Sequence, residues 1–265
     1  MVSRGFTLIE LVMVVLLLGI LATFSTQFVS ISTRIYGDAS AREKLMSDAR
    51  FALERLNREL RDAVPGSVRI EDLAGNAADQ GVCLRFWPLV TASRYLAMNE
   101  SVSGASGWQL TMVTPASSDT QPAAGQWAIV YPVVSGTTAI EQGCVNGTCV
   151  AEVTSVASAA SGAQSVMVNA QFAADSPARR VFLADQQSLY CISGGQLLRG
   201  SAALGTTLDG SALTEPMAGM LASDSYFYRD QAAFNLDSGI GLRLTLTRSD
   251  ETVVLDHKMA VFNVP

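Results

Sequence analysis

The hydrophobic pattern divides the chain into three regimes. From Phe6 to Phe24 almost every position is apolar, and the only formal charge is Glu10. As a helix rising about 1.5 Å per residue, this stretch is roughly 28 Å long, close to the ~30 Å hydrocarbon core of a bilayer. From Ser25 to Val64 the pattern becomes amphipathic: Leu45, Ala49, Ala52, Leu53, Leu56, Leu60 and Val64 recur at intervals of three and four. Arg50/Glu54, Glu54/Arg58, Arg55/Glu59 and Arg58/Asp62 form opposite-charge pairs one turn apart on the other face. No proline falls between Phe6 and Pro65. The spacing therefore predicts one long helix, ended by Pro65-Gly66, with Gly19 and Gly37 as the points where it can bend.

Beyond Pro65 the period shifts to two and β-branched residues increase. Predicted strands are Ser67–Glu71, Val82–Trp87, Trp108–Val113, Trp127–Val133, Cys149–Val156, Ser165–Asn169, Arg180–Leu183, Ser188–Ile192 and Gln196–Arg199. The last two form a hairpin turning at Ser193–Gly195. A terminal hairpin runs from Gly241, turns at Ser249–Glu251, and continues through Thr252–Asp256 into Met259–Val264. Asn99–Ser106, Ala116–Gly125, Val156–Gly162 and Gly200–Gly219 are rich in Ser, Ala and Gly and are expected to be loops. The fold class is α+β, a long N-terminal helix packed on an antiparallel β-sheet domain. The expected division is 1–5 leader, 6–24 membrane half of the helix, 25–64 amphipathic half and 65–265 globular domain.

Glu10 is the residue that calls for explanation. A carboxylate within a bilayer costs about 2.5–3.5 kcal/mol when deep. Thr7, one turn away, is neutral, and the positive end of a helix dipole fades within the first turn. A chain cut just before Phe6 exposes an α-amino group, and that group on a neighbouring copy supplies the missing charge. The pattern thus predicts lateral helix packing. An ordinary secretory signal with Leu11–Ala22 as its apolar region fits less well, since Leu21-Ala22-Thr23 is a poor cleavage site.

Composition narrows the function classes. Apolar residues make up 49% and charged residues 16% of the chain, enough for a packed core. The net charge of −6, with no basic stripe, argues against nucleic acid as a partner. Cys83, Cys144, Cys149 and Cys191 all lie beyond the apolar segment, in a region exported to an oxidising compartment. Three pairings are possible. The Asn146-Gly147 turn signal between Cys144 and Cys149 favours a local bridge there, which leaves Cys83 with Cys191. A metal site is disfavoured: the spacing of Cys144 and Cys149 is near that of zinc ligands, but His257 is the only histidine. A calcium loop around Asp72–Asp79, with Asn76, lacks EF-hand spacing. No cofactor is expected.

Catalytic motifs are absent from the sequence: it contains no nucleophile elbow, phosphate loop, H-E-x-x-H or dinucleotide fingerprint. Asp256-His257-Lys258 is expected to be a solvated strand edge, so the chain is not expected to be an enzyme.

Gly5-Phe6-Thr7-Leu8-Ile9-Glu10, followed by the apolar run, resembles the class III signal of type IV prepilins and type II secretion pseudopilins. The resemblance implies cleavage between Gly5 and Phe6 by a prepilin peptidase, N-methylation of Phe6, and pairing of Glu10 with the terminal amine of a preceding subunit. Ala41–Ala63, with A-R-F-A-L-E-R-L-N-R-E-L-R-D-A, is similar to the helix of larger minor pilins and of the J-type pseudopilin. Cys83–Leu96, the Leu-Tyr-Cys…Gly-Gly-Gln-Leu-Leu-Arg hairpin and the terminal Val-Phe-Asn-Val-Pro are similar to the MshO family of minor pilins from mannose-sensitive haemagglutinin (MSHA) pili. These stretches cover about a third of the chain. They imply a type IV pilin-like fold and a minor subunit that primes or caps a pilus. Its implied partners are prepilin peptidase, other minor and major pilins, an inner-membrane assembly platform and membrane lipid. It would sit first in the bacterial inner membrane with a periplasmic C-terminal domain, then in the pilus at the cell surface. Two other readings stay open: a type II secretion pseudopilin, or a tip adhesin gripping a surface ligand through residues 99–125. In the adhesin reading Trp87, Trp108 and Trp127 would offer stacking faces.

Overall fold

The structure, a computed structural model, describes residues 7–135, 138–158, 162–230, 239–248 and 251–259. The chain divides into two compact units, Met1–Ser47 and Asp48–Pro265. One helix, α1, runs Leu8–Arg61. The strands are β1 Arg69–Glu71, β2 Gln80–Gly81, β3 Cys83–Phe86, β4 Thr91–Ser101, β5 Trp108–Val113, β6 Trp127–Val130, β7 Val150–Ser158, β8 Ala163–Val168, β9 Arg180–Ala184, β10 Gln186–Ser193, β11 Gln196–Ala203, β12 Glu215–Ala218, β13 Tyr226–Asp230, β14 Gly239–Arg248 and β15 Glu251–Met259.

In the first unit every residue from Leu8 to Ser40 is exposed. α1 there is held by its own backbone ladder, and its apolar side chains meet no other element. In the second unit Ala49, Ala52, Leu53, Leu56 and Leu60 are buried, the stripe expected of an amphipathic helix lying on a sheet. The helix stops at Arg61, short of the predicted Val64. The backbone groups that follow bond across to another segment: Leu89 N–H donates to Asp62 O (2.7 Å) and Val64 N–H to Trp87 O (2.8 Å). Gly66 turns the chain at φ +76°, where a Cβ would lie 2.5 Å from Pro132 O.

The β-region has three parts: a sheet ordered β1-β3-β10-β11-β12, a sheet ordered β15-β14-β13-β2, and a closed barrel β4-β5-β8-β7-β6-β9. The pairings between these strands are antiparallel. The barrel is filled by Leu110, Met112, Val130, Val153, Val166, Val168, Phe172, Val181 and Leu183, alternating positions that point inward. A second cluster, with Val64, Trp87, Ile129 and Phe182, lines the other side of β6 and β9. Those two strands are therefore apolar on both faces, which explains their unbroken hydrophobic runs.

The closed barrel was not foreseen, because its longest strand was missed. β4 replaces what read as featureless chain and the start of a loop at Asn99. Its outward residues Ala92, Arg94 and Leu96 are exposed, and its pairing with β5 shifts register between Tyr95 and Ala97 and again before Glu100. Each shift breaks the period-two signal. β12 lies inside the supposed loop Gly200–Gly219; it is a short edge strand and tolerates Pro216. β13 had no sequence-level assignment. β15 continues unbroken through Met259, whereas the expected turn at 249–250 and residues 260–264 lie outside the described residues. The β10–β11 hairpin turns at Gly194-Gly195, both at positive φ (+58° and +72°), between the paired residues Ser193 and Gln196.

Candidate functional site

The apolar N-terminal segment concentrates the sequence-derived site residues. Gly5 and Phe6 lie outside the described residues. Thr7 starts α1: its carbonyl accepts from Glu10 N–H (3.1 Å) and Leu11 N–H (3.2 Å). Glu10 thus sits in the first helical turn, exposed like the leucines and valines around it. The Thr7-x-x-Glu10 spacing matches a capping box, but among the described residues no side-chain hydrogen bond joins the two. The carboxylate is therefore presented at the start of an apolar cylinder, with only the partial positive charge of the helix end beside it. α1 is long and apolar enough to cross a membrane. Its exposed apolar side chains extend past Phe24 to Phe28, Val29, Ile31, Ile35 and Tyr36.

The cysteines lie in the second unit. Cys83 on β3 and Cys191 on β10 are directly opposite in register and joined by a disulfide, with Cα atoms 4.1 Å apart. Cys144 and Cys149 are joined across a surface turn. Within that turn Gly147 N–H donates to Cys144 O (2.9 Å), so Val145 and Asn146 occupy the central positions and Gly147, at φ +106°, follows them. The Asn-Gly signal is one step out of the expected frame, in the place a type I turn reserves for glycine.

Charge fastens the C-terminal part of α1 to the five-stranded sheet. Glu59 accepts from Arg55 Nε (3.1 Å) and Arg199 Nε (3.2 Å), and Glu215 accepts from Arg55 Nη2 (3.1 Å) and Arg199 Nη1 (3.2 Å). The four residues close a ring between helix, β11 and β12. Arg199 also lies over the Tyr190 ring, 5.8 Å from its centroid. Tyr190 Oη is buried without a hydrogen-bond partner among the described residues. Burial, and then the negative charge of Glu59, push its pKa well above the usual tyrosine value. A second buried carboxylate, Glu71, is held by Arg85 through Nε (2.7 Å) and Nη2 (3.0 Å), with Arg69 on the same Oε1. Sequence reading singled out only the Arg55/Glu59 pair of these contacts. The rest depend on which strands become neighbours.

The remaining candidates are accounted for structurally. Asp72 Oδ1 accepts from Ala74 N–H (2.9 Å) and Asn76 N–H (2.8 Å), and its other oxygen accepts from Asn76 Nδ2 (2.9 Å), which lowers its pKa. It caps its own turn. Among the described residues no group of three or more His, Cys, Asp or Glu is placed to hold a metal. His257 is half-buried on the edge strand β15, opposite Leu242, and its neighbour Asp256 accepts from Tyr228 Oη (2.6 Å). Trp87 is buried and packs edge-on against the half-buried Trp127 at 6.0 Å, and Trp108 lies against the barrel core. The tryptophans serve as packing rather than as open stacking faces.

Residues 1–26 match the model of the family described as the prokaryotic N-terminal methylation motif. No curated protein and no solved structure matches the chain. Placed beside the exposed apolar helix and its early glutamate, the match identifies the N-terminus as a prepilin-type signal, of the kind carried by type IV pilins and pseudopilins, with processing by a prepilin peptidase and pilin partners implied.

Proposed function

We propose that this protein is a minor pilin of an MSHA-type type IV pilus, with a pilin-like fold. It is cut between Gly5 and Phe6, N-methylated at Phe6, and recruited through Glu10 into the complex that initiates or caps the fibre. One observation carries the reading: a methylation motif leads directly into a helix whose apolar surface is unclothed from Leu8 to Ser40. Such a surface is tolerated only in lipid or against other helices. Glu10 adds direction, since an exposed carboxylate in an apolar environment seeks a cation. The disulfides suit a domain on the periplasmic side. The resemblance of Cys83–Leu96 and of the β10–β11 hairpin to MSHA minor pilins favours a pilus over a secretion pseudopilus.

The test is mass spectrometry of the N-terminus of protein purified from its host, followed by pilus counts. The mature chain should begin at N-methylated Phe6. Gly5→Ala should accumulate precursor in the membrane, and Glu10→Val should be cleaved but recovered poorly in sheared pili. A mature chain beginning near Thr23 would refute processing. Loss of exoprotein secretion with unchanged piliation in a deletion strain would move the protein to the secretion pseudopili.

A further inference from the structure

Three arginines on the barrel stand apart from the otherwise well-paired charges. Arg94 on β4 and Arg180 on β9 are directly opposite in antiparallel register, and both are exposed. Directly opposed residues have Cα atoms about 5 Å apart and project from the same face, so two guanidinium groups leave the sheet side by side. Like charges in this position repel and destabilise the pair. Arg179, also exposed, precedes Arg180 in a left-handed backbone conformation (φ +51°) uncommon for a residue with a side chain. Among the described residues none of the three side chains forms an ion pair or hydrogen bond. In a chain with 24 acidic and 18 basic residues, three unpaired arginines in one place are a local reversal of charge.

Beside them lies an open groove of about 460 Å³, bounded by β4 residues Tyr95–Asn99 on one side and Asp175–Arg179 on the other. Its walls are fixed by hydrogen bonds that precede any ligand. Tyr95 Oη donates to Asp175 Oδ1 (2.9 Å) and accepts from Ser176 N–H (2.8 Å). Tyr95 N–H donates to Arg179 O (2.9 Å), which pins the strained arginine. Asn99, also left-handed at φ +60°, exchanges two hydrogen bonds with the Phe172 backbone (2.8 and 2.9 Å). Two uncommon backbone conformations thus border one preformed groove, the placement typical of binding sites.

We infer that this region binds an acidic glycan. The Arg94–Arg180 pair takes one oxyanion, a carboxylate or a sulfate ester, with the planar fork geometry that arginine offers such groups. The polar groove accommodates the hydroxyl-rich ring next to it. Nucleic acid fits less well: a duplex carries a charge every ~1.7 Å and calls for a longer basic track, and single strands call for exposed aromatic faces. The inference stands on the barrel alone and is independent of how the N-terminus is processed.

The experiment uses the full chain in neutral detergent and four labelled probes: a galacturonic acid hexasaccharide, a heparin-derived sulfated hexasaccharide, neutral chitohexaose and a single-stranded DNA dodecamer. Binding is followed by fluorescence anisotropy at about 50 mM salt and again at about 200 mM. At least one acidic oligosaccharide should bind, preferring the carboxylate or the sulfate arm, and its binding should weaken with salt. The double variant Arg94→Gln, Arg180→Gln should lose about tenfold or more in affinity, while Arg248→Gln, an exposed arginine on β14, should not change it. Because the pair repels in the free protein, the double variant should melt no lower than the parent, so lost binding cannot be lost fold. The inference is overturned if no acidic oligosaccharide binds, if chitohexaose binds equally, if the DNA binds more tightly than either acidic glycan, or if the double variant binds like the parent.

Discussion

Replacing Glu59 tests how the helix is attached to the sheet. Its carboxylate is 19% exposed and bridges Arg55 (28%) and Arg199 (14%), while Glu215, the fourth member of the ring, is 48% exposed. Removing one partner of a fully buried ion pair costs about 3–5 kcal/mol, and removing an exposed one costs about 0–1 kcal/mol. Glu59→Ala falls between these limits. It leaves Arg199 over the Tyr190 ring, largely shielded from water, with only the half-exposed Glu215 to balance it. We expect a loss of about 2 kcal/mol. Urea unfolding in neutral detergent, followed by fluorescence of the buried Trp87, measures it, with Glu54→Ala on the exposed face of the same helix as reference. Raising the salt should change the difference little, since the pair is mostly shielded. If Glu59→Ala costs no more than Glu54→Ala, the ring does not hold the helix, and packing of Leu56 and Leu60 alone does.

Three further outcomes follow from the same structure. The Cys83–Cys191 bridge closes a separation of 108 residues and Cys144–Cys149 one of 5, so chain-entropy arguments give about 5 and 2 kcal/mol; paired Cys→Ala variants, compared by urea midpoint, should differ in that order. Tyr190 and Tyr95 both have raised pKa values, first from burial, so the unfolded chain releases these protons from about pH 10 while the folded chain retains them. Stability should therefore fall as pH rises above 10, by up to about 1.4 kcal/mol per pH unit for each such tyrosine, and Tyr190→Phe should flatten that slope without lowering neutral-pH stability, since its hydroxyl has no partner to lose. A Cβ at Gly241 would lie 2.0 Å from Cζ of Tyr228 and 2.3 and 2.4 Å from its two Cε atoms, so the ring lies broadside over the glycine. Gly241→Ala should cost about 1–3 kcal/mol in a thermal melt, and Gly19→Ala, with open space around it, should not destabilise.

The N-terminal half of this architecture was legible because one period governs it. The apolar run and the stripe from Ala49 to Leu60 are local patterns, and α1 follows them to within a turn at Arg61. The hairpin β10–β11 was legible for the same reason, its Gly194-Gly195 turn lying between two short alternating runs. The barrel was not. Closing it requires β4 to leave β9 at Arg94 and join β5 through two register shifts, and nothing in Thr91–Ser101 encodes those partners locally. The charge ring and the Arg94–Arg180 pair are products of register between distant strands, so the sequence shows their members without showing that they meet. The methylation motif is the opposite case: six consecutive residues carry it, and no tertiary structure is needed to read it.

The covalent tie between β3 and β10 has a mechanical consequence. A pull on α1 enters the domain at Asp62 and runs through β1 toward Cys83. Peeling strands from that side meets hydrogen bonds one at a time until it reaches the sulfur bridge, where the load passes to β10 and the middle of the sheet. The slack that tension can draw out on this path is capped at the segment between Asp62 and Cys83. Everything beyond it must give way together or not at all.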